Sequence, residues 1–221
     1  MIVTIDGPAG AGKSSASKLL ARELGFRFLD TGAMYRAVTW AVMNEGLDLT
    51  NTTAVAKLAR RIRIEMDIES DTVMVDGEDV TQQIRDPAVT KNVAPVADNP
   101  LVREILVELQ RKIAQRGNFV CEGRDQGTVA FPDAECKIFL TASAEHRARR
   151  RLLELEAKNI PADYSWILHE QNIRDRGDQE RPVGRLRKAE DAIEVFTDDL
   201  SLREVVAKLK EIVQSKMNPT S

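Results

Sequence analysis

Cysteine is scarce in this 221-residue sequence, which contains only Cys121 and Cys136 and no cysteine or histidine spacing that suits a metal. Both cysteines fall within or beside predicted buried strands, so we expect reduced, buried thiols rather than a disulfide or a zinc site. A run of about eighteen apolar residues is also missing, which argues against a membrane-spanning helix. The first residues enter an apolar strand without the charged segment and cleavage site of a signal peptide, so we expect a cytoplasmic protein.

Net positive charge is missing as well, since 32 lysines and arginines stand against 35 acidic residues and the isoelectric point is near 5.6. A protein that acts mainly on nucleic acid or on an anionic membrane usually has an overall basic signature. The sequence also lacks internal repeats and low-complexity tracts, and 43% of its residues are hydrophobic. We therefore expect a globular protein, a monomer, whose partners are small molecules rather than nucleic acid or a membrane.

A glycine-rich segment near the start, GPAGAGKS from Gly7 to Ser14, matches the phosphate-loop pattern G-x-x-x-x-G-K-[ST]. It follows the apolar run Ile2–Ile5 and precedes a predicted helix, which is the context that the motif requires. The glycines let the backbone approach phosphates closely, and the loop amides together with the helix start form an anion site. Lys13 would reach the β- and γ-phosphates and the Ser14 hydroxyl would bind Mg²⁺, so the sequence predicts a nucleotide-binding protein.

Signals for strands and helices alternate along the rest of the chain. A helix is predicted over Lys13–Leu24 and is closed by Gly25 in the left-handed conformation. A last helix begins at a capping box formed by Ser201 and Glu204. The predicted core strands are Ile2–Asp6, Phe26–Leu29, Phe119–Glu122, Lys137–Leu140 and Ala192–Phe196. Strands that alternate with helices imply a parallel sheet with helices on both faces.

One segment breaks this alternation. Apolar residues recur at every second position, and a turn over 69–72 leads into a similar run over 73–77. The alternating residues are Ile62, Ile64, Met66 and Ile68. The pattern indicates an antiparallel hairpin inserted between core strands, which is either a substrate-binding lobe or an edge decoration without function.

Three arginine-bearing clusters follow predicted strands or a helix, over residues 30–36, 122–129 and 174–187. The first two lie where strands end, and ligands of doubly wound folds bind at that edge of the sheet. Arg124 and Asp125 would otherwise form only a mutual surface ion pair. The third cluster is either a solvated helix face or a lid that brings mobile cations over a transferring phosphoryl group.

Together with the phosphate loop, these clusters resemble the bacterial cytidylate (CMP) kinase family of nucleoside monophosphate kinases. The similarity rests on IDGPAGAGK from Ile5, LDTGAMYR from Leu29, GRDQGTV from Gly123, the hairpin and the arginine-rich segment. It implies a P-loop three-layer α/β fold with a five-stranded parallel sheet, a small antiparallel insertion and a helical lid. The implied chain is a single domain, with a monophosphate-binding lobe at about 60–98 and a lid at about 147–187. The implied reaction transfers phosphate from MgATP to CMP or dCMP.

The resemblance also implies roles for individual residues by position. ATP would be bound by Gly7, Pro8, Ala9, Gly10, Ala11, Gly12, Lys13, Ser14 and Ser15. CMP would be bound by Thr31, Arg36, Arg103, Arg124, Asp125, Arg174, Asp178 and Arg181. Catalysis would rest on Lys13, Arg181 and Arg176, with Ser14 as the Mg²⁺ ligand.

The implied phosphate contacts suit the chemistry of the side chains. Arg36, Arg124 and Arg181 would bind the phosphate of CMP, since guanidinium groups match phosphate oxygens in a forked geometry. Thr31 would add a hydroxyl donor. Because the accepting phosphate is already an anion, the reaction needs positioning and charge neutralisation more than a strong general base.

The implied base and sugar contacts include one departure from the family pattern. Arg103 and Asp125 would read cytosine, because a carboxylate accepts from the exocyclic amine that uracil lacks. Arg174 and Asp178 would hold the sugar hydroxyls. Where the family pattern has a serine near the base, this sequence has Ala94, which puts one base contact in doubt.

Two other functions stay open at this point. One is a different small P-loop kinase, with UMP, AMP or a non-nucleotide alcohol as acceptor. The other is a nucleotide-dependent switch or assembly protein. The sequence has no N-K-x-D motif for reading guanine, and a single triphosphate site would not need three arginine clusters.

Overall fold

The computed structural model describes residues 1–67 and 71–217. The strands are β1 (Ile2–Asp6), β2 (Arg27–Asp30), β3 (Ile64–Asp67), β4 (Thr72–Val75), β5 (Glu78–Asp79), β6 (Phe119–Glu122), β7 (Cys136–Thr141) and β8 (Ile193–Phe196). The helices are α1 (Lys13–Leu24), α2 (Thr31–Asn44), α3 (Thr52–Arg61), α4 (Pro87–Lys91), α5 (Val93–Ala97), α6 (Pro100–Ala114), α7 (Ala144–Glu156), α8 (Tyr164–Glu180) and α9 (Leu202–Met217). Within these ranges, no helix has both the length and the apolar character that crossing a membrane requires.

The main sheet has five strands in the order β2-β6-β1-β7-β8, and all of its neighbouring strands are parallel. In the register of this sheet, Glu122 lies opposite both Ile5 of β1 and Asp30 of β2. Three neighbouring strands therefore end on acidic residues, Asp6, Asp30 and Glu122, at one edge of the sheet. The predicted five-stranded parallel sheet is confirmed.

Helices cover both faces of this sheet, as the alternating pattern predicted. Along β6, Phe119 and Cys121 pack into the core formed with α2, α3 and α6, whereas Val120 packs into the core formed with α1 and α9. This division follows from the pleat of a strand, which directs successive side chains to opposite faces. Cys121 and Cys136 are both buried free thiols, as expected.

Local signals located the ends of the first and last helices correctly. Helix α1 ends at Gly25, which has a φ of +65° and donates its N–H to the last turn. Before α9, the Ser201 hydroxyl accepts from the Glu204 N–H while the Glu204 carboxylate accepts from the Ser201 N–H at 2.8 Å. This reciprocal pair is the predicted capping box.

The insertion forms a three-stranded antiparallel sheet in the order β3-β4-β5, which confirms the small antiparallel element. Ile64, Val73 and Val75 pack into the same core as α2 and α6, so the insertion is continuous with one face of the main sheet. Ile62 belongs to the end of α3 rather than to the hairpin. The predicted positions Ile68–Ser70 lie outside the described residues.

Helices α7 and α8 pack against each other and precede an irregular segment over 181–192. Each helix has a side-chain cap at its start, since Ser143 accepts from the His146 N–H and Asp163 accepts from the Trp166 N–H. The arginine-rich cluster thus continues from α8 into the irregular segment that follows it.

The phosphate-loop glycine Gly7 provides a test of close packing. It has a φ of +151°, and a Cβ on it would overlap the backbone carbonyl oxygen of Leu140. Gly25 is the matched control, because its φ is also positive but a Cβ there would meet no atom within 4 Å. We expect Gly25→Ala to lower the free energy of unfolding by about 1–2 kcal/mol through backbone strain alone. Gly7→Ala should lower the free energy of unfolding further, because the backbone oxygen of Leu140 cannot rotate away from the added Cβ.

Urea unfolding of the two variants at equal protein concentration measures this difference. A Gly7→Ala loss equal to or smaller than that of Gly25→Ala would contradict the packing argument.

Candidate active site

A cleft of about 280 Å³ opens at the edge of the sheet where β1, β2 and β6 end. Residues from the phosphate loop, the start of α2, the insertion, the end of β6 and the α8 region contribute to its walls. Its lining residues are Ala9, Gly10, Lys13, Ser14, Asp30, Thr31, Gly32, Tyr35, Arg36, Thr90, Val93, Ala97, Arg103, Glu122, Gly123, Arg124, Asp125, Arg174, Arg181 and Gly184. Segments distant in the sequence therefore meet around one cavity.

The phosphate loop presents Lys13 and Ser14 to this cleft. The Lys13 ammonium donates to the carbonyl oxygen of Pro8 at 2.8 Å and lies 3.9 Å from the Glu122 carboxylate. The Ser14 hydroxyl donates to the other oxygen of Glu122 at 2.7 Å. Burial lowers the pKa of Lys13 and raises that of Glu122, although their mutual attraction opposes both shifts. Glu122 is thus a central acidic group of the cleft.

The start of α2 brings Asp30, Thr31 and Arg36 to the same wall. Asp30 caps the helix by accepting from the Ala33 N–H at 2.9 Å, and its second oxygen pairs with Arg36 at 2.9 Å. The Thr31 hydroxyl donates to the backbone oxygen of Glu122 at 2.7 Å and is buried. One short segment therefore fixes a cation and a hydroxyl beside the phosphate loop.

Arg124 and Arg181 share Asp178, a carboxylate that is only 1% exposed. The distances from Asp178 Oδ1 are 3.1 Å to Arg124 and 3.2 Å to Arg181. Arg181 also pairs at 3.0 Å with Asp98, at the end of α5 in the insertion. Burial lowers the pKa of Arg124 to about 10. These pairs connect α8, the end of β6 and the insertion across the cleft.

Asp125 pairs with Arg103 of α6, and both side chains are nearly buried. The Arg103 guanidinium also lies 5.4 Å from the centre of the Tyr35 ring, in a cation–π arrangement. Burial raises the pKa of Tyr35 to about 12, so the ring carries a neutral phenol at physiological pH. Arg124 and Asp125 therefore have separate partners and do not form the surface pair that the sequence left open.

The carboxylate of Asp6 does not line the cleft and lies against the turn that follows Asp125. It is 4% exposed, and its two oxygens accept from the backbone N–H groups of Gln126 at 2.8 Å and Gly127 at 2.7 Å. Burial raises the pKa of Asp6 to about 7, against the lowering effect of these two hydrogen bonds. Asp6 connects the end of β1 to the turn that follows Asp125.

The α7–α8 pair lies over the phosphate loop. The carbonyl oxygen of Ala9 accepts from Arg147 at 3.0 Å and from Gln171 at 3.2 Å. Arg147 in turn pairs with Asp175 of α8 at 2.8 Å. With the contact between Arg181 and Asp98 of the insertion, these bonds connect the α7–α8 region to the phosphate loop and to the insertion.

Most predicted binding residues line the cleft. They are Ala9, Gly10, Lys13, Ser14, Thr31, Arg36, Arg103, Arg124, Asp125, Arg174 and Arg181. Asp178 lies beneath two of these arginines. Ser15 and Arg176 are exposed and do not line the cleft. Ala94 is half-buried on α5, between the lining residues Val93 and Ala97.

Sequence reasoning missed three acidic groups of the site. Asp6 and Glu122 are the last residues of their strands, and the end of a parallel strand next to a phosphate loop was the signal that could have found them. Asp98 had no comparable signal, because its partner Arg181 is 83 residues away.

A glycine-rich loop between β1 and α1, a parallel sheet and a cation-lined cleft define a P-loop phosphotransferase. The sequence model of the cytidylate kinase family matches residues 3–215. The chain belongs to the cytidylate kinase family.

Curated relatives agree with this assignment, and one solved structure agrees with the fold. A cytidylate kinase from Rhodopirellula baltica is 50% identical over 97% of this chain and 95% of its own length, and one from Carboxydothermus hydrogenoformans is 50% identical over 98% of each. A bifunctional pantoate ligase/cytidylate kinase from Synechococcus elongatus is 48% identical over 97% of this chain, which spans 42% of that longer protein. A crystal structure of a Thermus thermophilus protein matches the fold with a TM-score of 0.54, at 18% identity over 99% of this chain and 98% of that one.

The buried pair of Arg103 and Asp125 generates a stability prediction. Arg103→Ala leaves a buried carboxylate without its cation, so we expect the free energy of unfolding to fall by about 3–5 kcal/mol. Arg151→Ala is the matched control, because the pair of Arg151 with Glu154 is exposed and should contribute less than about 1 kcal/mol. The double variant Arg103→Ala/Asp125→Ala should lose less than the sum of the single losses.

Urea unfolding of the two single variants, the double variant and the control measures the coupling. An Arg103→Ala loss no greater than that of Arg151→Ala would show that Asp125 is not held as a buried charge.

Proposed function

We propose that this chain transfers the γ-phosphoryl group of ATP to CMP and dCMP, giving ADP and the corresponding diphosphate. The observation that carries the proposal is the meeting of Lys13 and three arginines, Arg36, Arg124 and Arg181, around one cleft beside the phosphate loop. A donor triphosphate on the loop and an acceptor phosphate on the arginines would face each other across this space. Membership of the cytidylate kinase family makes CMP the expected acceptor.

The acceptor phosphate would bind to the three arginines, which are already oriented by carboxylates. Asp30 holds Arg36, and Asp178 holds Arg124 and Arg181. Arginine binds phosphate through paired N–H groups, so each guanidinium can keep one carboxylate contact and direct other N–H groups at the ligand. Thr31 would add a hydroxyl contact at the same wall.

The base would be read by Asp125 and Arg103. The carboxylate of Asp125 lines the cleft and accepts hydrogen bonds, which matches the exocyclic amine of cytosine. The carbonyl of uracil at the corresponding position would instead face an acceptor. Ala94 offers no side-chain hydrogen bond, so on this proposal recognition of the base depends on the Arg103–Asp125 pair.

The sugar would be held by Arg174 and Asp178. Arg174 lines the cleft from α8. Oδ2 of Asp178 is buried and has no hydrogen-bond partner among residues 1–67 and 71–217. A buried carboxylate oxygen without a donor is costly, so a sugar hydroxyl would be a favourable partner for it.

Catalysis would rest on Lys13, Arg181 and Arg176, which would neutralise charge on the transferring group. Ser14 and Glu122 place hard oxygen atoms together at the cleft, a donor set that suits Mg²⁺. Bound there, Mg²⁺ would neutralise charge on the donor phosphates. Arg176 is exposed on α8, so its proposed part requires a change in its side chain or in the helix when substrates bind.

On this proposal the chain is one domain with two mobile parts, a monophosphate-binding lobe over about 60–98 and a lid over about 147–187. Thr90, Val93 and Ala97 of the insertion line the cleft, which supports a part in acceptor binding. Closure of the α8 region would exclude water and limit wasteful hydrolysis of ATP.

An acceptor panel tests the proposed activity. We expect ADP formation from MgATP to be fast with CMP and dCMP, slower with UMP, and close to background with AMP, GMP or no acceptor. A coupled assay of ADP release measures all of these rates on one preparation. Hydrolysis that does not depend on an acceptor would favour a nucleotide switch, and equal rates across the panel would contradict base selection.

The variant Asp125→Asn tests the reading of the base. Its amide keeps the size of the carboxylate but can present N–H donors, which suit the carbonyl of uracil. We expect the ratio of kcat/KM for CMP over UMP to fall by about tenfold or more, which corresponds to about 1.4 kcal/mol. The matched control Asp133→Asn changes an exposed carboxylate in the loop before β7 and should leave the ratio unchanged. Equal losses for CMP and UMP would show that Asp125 does not select the base.

A further inference from the structure

The five-residue turn Gln126–Ala130 follows directly after the two acceptor-site residues Arg124 and Asp125. It adopts a π-helical conformation and begins directly after Asp125. The backbone carbonyl oxygen of Asp125 accepts from the N–H groups of Val129 at 2.9 Å and Ala130 at 3.3 Å. The position of Asp125 is therefore tied to the position of this turn.

Charged side chains hold both ends of the turn. At its beginning, the carboxylate of Asp6 accepts from the N–H groups of Gln126 and Gly127 at 2.8 and 2.7 Å. At its end, the Arg111 guanidinium donates to the carbonyl oxygens of Val129 at 2.9 Å and Ala130 at 2.8 Å. Among the described residues, each charged side chain makes two hydrogen bonds to backbone atoms of the turn.

The two charged groups differ in their exposure to water. Asp6 is buried, whereas Arg111 lies on an exposed part of α6. A carboxylate that accepts two N–H donors in a buried site makes strong hydrogen bonds, because water does not compete for the donors. At the exposed end, water can replace part of what Arg111 provides. Asp6 should therefore contribute more than Arg111 to the position of the turn.

Asp6 immediately precedes the phosphate loop, so it matters which part of the site its hydrogen bonds reach. Its hydrogen bonds reach the turn of the acceptor site, at residues 120 and 121 positions later in the sequence. Two charged residues act on the Asp6 carboxylate, since Asp125 raises its pKa and Lys13 of the phosphate loop lowers it. An effect through Lys13 would change ATP binding, whereas an effect through the turn would change CMP binding.

We propose that Asp6 is a positioning residue for the acceptor site, which it stabilises by fixing the 126–130 turn that places Arg124 and Asp125, with Arg111 as the weaker second contact. The proposal rests on the function proposed above. Asp6 contacts neither substrate in this role. The residue before the phosphate loop would thus connect the end of the donor loop to recognition of the acceptor.

The variant Asp6→Asn tests the proposal, with Thr4→Val as the matched control. Asparagine keeps the shape of the side chain, but its NH₂ group faces one of the two N–H donors, so one hydrogen bond is lost. Thr4 lies on the same strand beside Gly127, and its buried hydroxyl has no hydrogen-bond partner among the described residues. At pH 8 we expect Asp6→Asn to raise the KM for CMP about tenfold while the KM for ATP stays within about twofold. Thr4→Val should leave both values unchanged.

The second contact gives an independent variant. Arg111→Ala should raise the KM for CMP by about twofold to fivefold, because Arg111 is exposed. Lys112→Ala, the neighbouring exposed residue of α6, should have no effect. Should Asp6→Asn fail to fold, the comparison of Arg111→Ala with Lys112→Ala decides the question on its own.

Three outcomes would overturn the proposal. The first is an equal rise of the KM for CMP and the KM for ATP in Asp6→Asn. The second is an Asp6→Asn variant whose kinetics are unchanged although it unfolds more easily. The third is a finding that Arg111→Ala and Lys112→Ala have equal kinetics. A failure of the proposed function would be distinguishable, because it would appear in the unaltered protein as turnover that does not depend on CMP.

Discussion

Burial of opposite charges at the carboxyl edge of the main sheet is the constraint on which the rest of the cleft depends. Taking a guanidinium or a carboxylate out of water costs several kcal/mol, and the cost is offset only where a partner is well placed. In the cleft each of these arginines has a carboxylate partner, since Arg36 forms an ion pair with Asp30 and Arg124 forms one with Asp178. The cations are therefore desolvated and oriented during folding. On the proposed function, a phosphate that enters would find them in place, so less of its binding energy would be lost in ordering side chains.

Further ion pairs connect parts of the fold that lie far apart in the sequence. Arg181 pairs with Asp98 of the insertion, and Arg147 joins Asp175 of α8 to the backbone of the phosphate loop at Ala9. The contacts of Arg147 and Arg181 that join these parts are thus polar. Polar contacts of this kind can be exchanged for substrate contacts with a small net change in free energy. This property would suit the lid proposed over about 147–187, which would open and close in each catalytic cycle.

The features that the sequence predicted are mainly those that depend on interactions between residues close together along the chain. The phosphate loop, helix α1 with its end at Gly25, and the capping box at Ser201 depend on residues within a few positions of one another, and all were located correctly. Most of the arginines expected in the cleft do line it, because the carboxyl ends of parallel strands meet at one edge. The partners of those arginines were not predicted. Arg124 and Asp178 are far apart in the sequence, and their pairing depends on how α8 folds back over the sheet.

The strand order explains why such pairings lie beyond local reasoning. β6 lies between β1 and β2, although more than a hundred residues separate β1 from β6 along the chain. This placement brings Glu122 beside Ser14, and it brings the turn after Asp125 against Asp6. The phosphate loop follows β1 and Arg124 follows β6, so on the proposed function these neighbouring parallel strands would set the distance between the donor site and the acceptor site. In-line phosphoryl transfer requires that distance to be fixed, and a rigid hydrogen-bonded sheet fixes it more precisely than loops could.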